Sequence, residues 1–107
     1  MIIKLKSLCS ESIHDRIGKC YELAGRYVTS NPNSILVHGK LINPYTRGFK
    51  ELDHAWVEDG GDILDPVMDI KMPKEAYESW FKVKPYKKYT HTEVLKLTLE
   101  TGNWGPW

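Results

Sequence analysis

Cysteine is scarce in this chain: Cys9 and Cys20 are the two thiols in 107 residues. Two cysteines cannot build a disulfide framework, and both are expected to be free, as in a reducing compartment. Charge of a single sign is missing as well. Fifteen Lys and Arg stand against fourteen Asp and Glu, for a net charge of +1. That balance lacks the basic footprint of a nucleic-acid binder, so no nucleic-acid partner is expected. No apolar run approaches the length of a membrane span, and no membrane association is expected. The opening MIIKLKSLCSESIHDR is broken by Lys4 and Lys6. It has neither the uninterrupted apolar stretch nor the cleavage site of a signal peptide, so the expected location is cytoplasmic. Close-spaced ligand pairs such as C-x-x-C or H-x-x-x-H are missing among Cys9, Cys20, His14, His38 and His54, which argues against zinc. No glycine-rich phosphate loop occurs. Neither a metal nor a cofactor is expected. Repeats, low-complexity tracts and linkers are also missing, and the length makes a single domain over 1–107 the expectation.

What is present is the patterning of an α+β chain. Residues 2–8 alternate weakly and suit a strand or an extended lead-in. Cys20, Leu23, Ala24, Tyr27 and Val28 fall on one helical face, and Asn31-Pro32-Asn33 stops that helix. Its start has two readings. Ile13 and Ile17 continue the stripe backwards into one long helix from about residue 12, or Gly18 ends a first turn and the helix begins near Cys20. Residues 35–42 read as a strand with Gly39 a possible bulge. Residues 43–48 read as a loop. Residues 52–58 and 62–67 read as two strands joined at Asp59-Gly60-Gly61, with Pro66 limiting the second. A short helix opens at Pro73. Residues 81–89 suit an edge strand, with Lys82, Lys84, Lys87 and Lys88 as its charge guard. Thr90 and Glu93 form a capping-box pattern opening a last helix that runs to about Glu100, with Gly102 just beyond. Helix, mostly antiparallel sheet, helix is the order of an α+β fold.

The hairpin carries the first chemical signal. Leu52, His54, Trp56 and Glu58 share one strand face. With Asp59-Gly60 as the turn, His54 lies opposite Asp65, Cβ atoms about 5 Å apart. With Gly60-Gly61 as the turn, Trp56 faces Asp65 and His54 is its diagonal neighbour. Both registers put an imidazole beside a carboxylate, which fixes the tautomer and stabilises the imidazolium. The bland alternative is a surface His-Asp pair that lends a hairpin a little stability.

Cys20 supplies a nucleophile. In the first turn of a helix its thiol meets the positive end of the dipole, and a nearby imidazolium also favours thiolate. The competing reading is a core cysteine, since Cys20 lies on the apolar stripe and unpaired cysteine is often buried. Cys9 has no partner pattern and reads as structural or incidental. Trp104 and Trp107 cap the core or, with Trp56, line a substrate groove; burial favours the core role.

Cysteine on an early helix, then His54-Ala55-Trp56-Val57-Glu58, a short turn and Asp65-Pro66 together resemble the papain-like and transglutaminase-like superfamily. The segment is similar to the core of bacterial leader peptidases that process lasso peptides. The tail from Thr101 to Trp107 resembles that of small bacterial and phage proteins with this core. The resemblance spans roughly residues 18–67 plus the tail. It implies a minimal papain-like domain, with the helix carrying Cys20 packed on a small antiparallel sheet. It implies acyl chemistry on a peptide or protein substrate, with Cys20 as nucleophile, His54 as base then acid, and Asp65 as orienter. The chain departs from papain-like proteases in lacking a glutamine before Cys20 and in lacking substrate-binding subdomains. One oxyanion donor lost costs catalysis about 3–4 kcal/mol. A second reading is therefore a non-catalytic interaction protein of phage or mobile-element origin that inhibits a host protein. The full set of Cys, His and Asp favours the enzyme.

Overall fold

The computed structural model describes residues 3–4, 19–42 and 51–107. In chain order these form β1 (Ile3–Lys4), α1 (Cys20–Ser30), β2 (Ile35–Ile42), β3 (Glu51–Asp59), β4 (Asp62–Asp65), β5 (Ile70–Pro73), α2 (Lys74–Phe81), β6 (Lys84–Thr90) and α3 (His91–Thr101). The fold is α+β. A six-stranded sheet runs in the order β1-β5-β4-β3-β2-β6, and every neighbouring pair is antiparallel. Cys9, His14, the stretch from Ser12 to Gly18 and the expected loop at 43–48 lie outside the described residues.

Both faces of the sheet are covered, which explains the apolar triplets Ile35-Leu36-Val37 and Ala55-Trp56-Val57. Successive strand residues point to opposite faces. Leu36, Ala55, Val57, Leu64 and Tyr89 pack with Ala24 and Val28 of α1 and Val94 of α3. Val37, Leu41, Trp56, Ile63 and Met72 pack instead with Tyr77 and Phe81 of α2. Burying a side chain of this size contributes roughly 1.5–3 kcal/mol, so the two layers hold the sheet from both sides.

The local signals act where the physics requires. α1 starts at Cys20, with Lys19 outside the helical region, so the helix begins where the second reading put it. Asn31 caps its other end. α3 has both halves of the capping box, between Thr90 and Glu93, and ends on Gly102 at φ 71°. β6 is an edge strand, as its lysines suggest, although Phe81 belongs to α2. Gly39 marks a register slip between β2 and β6. A Cβ there would lie 2.5 Å from the Lys84 carbonyl oxygen and 2.8 Å from the Trp56 ring, so any side chain would force the strands apart. β5 has no counterpart in the sequence reading: four residues carry too little alternation to identify a strand.

Candidate active site

The hairpin turn settles the register. Asp59 pairs with Asp62, so Gly60-Gly61 is the turn, and Gly60 has φ 66°. Glycine at the first central position is what a type II′ hairpin turn selects. Continued along the strands, this register places Trp56 opposite Asp65 and His54 diagonal to it on the same face. The imidazole reaches across that diagonal: His54 Nε2 lies 2.7 Å from Asp65 Oδ2.

Asp65 is fully buried and has three partners. Besides His54, the Tyr77 hydroxyl donates to Oδ2 at 2.7 Å, and the Met68 backbone N–H donates to Oδ1 at 3.2 Å. Burial alone would raise this carboxyl. The His54 imidazolium, with the Tyr77 and Met68 hydrogen bonds, outweighs burial and holds it below the ordinary carboxylate range. Tyr77, buried and facing that carboxylate, is pushed well above its usual value and stays a donor. Sequence reading missed Tyr77. It sits in a short helix where an aromatic residue reads as core, and only the docking of α2 beneath β4 brings its hydroxyl to Asp65.

His54 has its side chain 12% exposed. Burial opposes its charge, but the Asp65 carboxylate and the hydrogen bond to it, with a contribution from nearby Cys20, prevail, and its pKa is raised. With Nε2 on Asp65, the nitrogen left for the thiol is Nδ1. β4 is also short: its ladder on β3 covers Val57 to Asp59 and ends there, just ahead of Pro66. The side of β3 at His54 is thus unpaired in the β3–β4 ladder.

Cys20 is a half-buried free thiol at the first residue of α1. The helix is anchored over the hairpin by Leu23, Ala24 and Val28, and by the Tyr27 hydroxyl, which donates to Asp59 Oδ2 at 2.7 Å. Helix geometry leaves the backbone N–H groups of Cys20, Tyr21 and Glu22 without intrahelical acceptors; the Leu23 N–H is the first to bond back, to the Lys19 carbonyl at 2.9 Å. Three separate elements therefore supply an imidazole and carboxylate in contact and a thiol that bears on the imidazole's charge.

The tryptophans divide. Trp56 is 1% exposed and packs beside Tyr77, which removes it from any groove: its face of β3 is the one α2 covers. Trp104 is half-buried against α1, where a Cβ on Gly25 would come within 2.6 Å of its ring. Trp107 lines a cleft with Tyr21, His38 and Tyr89. Among the described residues no three His, Cys, Asp or Glu side chains gather as metal ligands. No helix among them is long and apolar enough to cross a membrane. No family model, curated protein or solved structure matches this chain.

Proposed function

We propose that this chain is a thiol-dependent hydrolase or acyltransferase acting on a peptide or protein amide, on a minimal papain-like or transglutaminase-like core. One observation carries the reading: the His54 ring bonds the buried carboxylate of Asp65 at 2.7 Å, and Cys20, at the N-terminus of α1, is close enough to the ring to help raise its pKa.

The Cys20 sulfur, as thiolate, adds to the substrate carbonyl carbon, and the carbonyl π electrons move onto oxygen. The Cys20 backbone N–H at the start of α1 is the expected donor to that oxyanion. Collapse breaks the carbon–nitrogen bond, and the His54 imidazolium gives its proton to the departing amine. The thioester left behind is attacked by water or a second amine, whose proton passes to His54 as the thiolate leaves. Asp65 holds the ring in one orientation and stabilises its charged form throughout. Tyr77 is a positioning residue, since it touches Asp65 and not the reacting atoms.

The test is iodoacetamide labelling of the folded protein at pH 6, read by mass spectrometry separately at Cys20 and Cys9. Cys20 should label faster. His54→Ala should slow it at least tenfold without unfolding the protein, and Asp65→Asn should slow it less, because the imidazole remains. Equal labelling at Cys20 with and without His54 would overturn the pair and favour the non-catalytic interaction protein.

A further inference from the structure

A cleft of about 440 Å³ opens between α1, β6 and the C-terminal tail. The rings of Tyr21, Tyr89 and Trp107 wall it, and Asp53 and Lys87 supply its charge. The bulge shapes its mouth. His38 pairs with Lys87 and Gly39 with Pro85, so Tyr86 between them has no partner on β2. Tyr86 and Lys87 consequently both line the cleft, although successive strand residues ordinarily face opposite ways.

His38 is the polar group of this cleft. It is 5% exposed, and its Nε2 is buried with no hydrogen-bond partner among the described residues. Its ring meets Tyr21 and Tyr89 edge-on, with centroids 4.8 and 4.9 Å apart, and stacks on Trp107 at 5.6 Å. Burial pushes its pKa down to about 4, so the ring is neutral at physiological pH. An unpartnered buried nitrogen costs stability, and a ligand that supplies the missing partner recovers it.

We propose that this cleft is the side-chain subsite of the thiol site and takes the phenol ring of a tyrosine-bearing peptide, its hydroxyl bonded to His38 Nε2. Aromatic walls favour a flat ring. A phenolic hydroxyl both donates and accepts, so it satisfies either tautomer of a neutral imidazole. The placement near the thiol follows from Tyr21, which succeeds Cys20 at the start of α1 and lines the cleft; Asp53, on the face of β3 opposite His54, lines it too. This inference rests on the reading of Cys20 as nucleophile. Nε2 is buried, so the phenol enters by displacing a wall of the cleft, and displacing the stacked Trp107 disturbs the 3.1 Å bond from its indole N–H to Thr101 Oγ1.

The probes are N-acetyl-tyrosinamide and N-acetyl-phenylalaninamide, titrated into the full-length Cys20→Ala protein by NMR. The tyrosine probe should shift the His38 ring nitrogen and the Trp107 indole N–H, and should bind about tenfold tighter than the phenylalanine probe. His38→Phe should abolish that preference. The ring-nitrogen signal reports on the proposal in unsubstituted His38 even if the variant fails to fold. Equal affinity for the two probes, no saturable shift with either, or a preference surviving His38→Phe would overturn it. In the Cys20-containing protein the tyrosine probe should also protect Cys20 from iodoacetamide; binding without protection would overturn the placement. Tight binding with Cys20 inert to alkylation would sink the enzymatic reading and leave the tyrosine cleft standing.

Discussion

Two histidines on neighbouring strands show how one side chain acquires opposite properties. His54 on β3 and His38 on β2 are separated by one register step, since His54 pairs with Gly39. Burial disfavours charge on both. At His54 the Asp65 carboxylate at 2.7 Å overcomes that penalty and raises the pKa. At His38 no charge compensates, the ring is walled by aromatic side chains, and the pKa falls to about 4. Charge state here is set by what stands opposite the ring more than by depth. The charged ring is fit for proton transfer, the neutral one for hydrogen-bond recognition.

Removing the carboxylate is the strongest way to break this contrast. Asp65→Ala leaves His54, the Tyr77 hydroxyl and the Met68 N–H without their acceptor, and should lower the unfolding free energy in urea by about 3–5 kcal/mol. Adding His54→Leu should restore part of that loss. No restoration would place the cost on the Tyr77 and Met68 hydrogen bonds instead.

The pH dependence of stability should separate the two histidines, because their shifts have opposite signs. The folded pKa of His54 is raised, so its contribution is complete below the unfolded value near 6.5 and is lost as pH rises through the folded one. The folded pKa of His38 is lowered. Its contribution is present above about 6.5 and is lost as pH falls towards 4, with a slope of at most about 1.4 kcal/mol per pH unit. Asp65, depressed below its ordinary value, weakens folding only in more acidic solution. Urea unfolding across pH 4–9 should therefore peak near 6.5. His38→Phe should flatten the acid limb alone, and His54→Leu the alkaline limb. An acid limb unchanged by His38→Phe would show that His38 is not held neutral.

The smallest expected effect is at Tyr77. Tyr77→Phe deletes one hydroxyl from the Asp65 carboxylate and should cost about 1–2 kcal/mol by thermal unfolding. It should also let the Asp65 carboxyl rise, read by NMR titration. Stability and titration both unchanged would mean that His54 and Met68 N–H alone hold the carboxylate.

Strand periodicity makes the His54–Asp65 pair legible in the sequence, because either two-residue turn brings an imidazole and a carboxylate to one face. The choice of turn was not legible: both Asp59-Gly60 and Gly60-Gly61 satisfy local turn chemistry, and the ladder with β2 and the packing of both faces select between them. Cys20 was visible as a stripe residue, while its place at the helix start depended on where the backbone leaves the helical region. His38 stood out only as one of several scattered histidines, since nothing in Val37-His38-Gly39 announces the aromatic rings that the tail and α1 bring to it. The burial of Trp56 is hidden for the same reason: a strand face gives no sign of whether solvent or another helix will cover it.

The sequence by itself determined what local rules control. These are the capping box of α3, the stop at Asn31, the hairpin with its alternating faces, the bulge at Gly39 and the lysine-rich edge. Each depends on backbone preferences and hydrogen bonds between residues close in the chain. Tertiary structure alone decided that α2 covers one face of the sheet and α1 with α3 the other, that Tyr77 reaches Asp65, that the β3–β4 ladder stops before His54, and that two histidines one register step apart carry different charge. Those outcomes depend on desolvation and on partners distant in sequence, which no local pattern encodes.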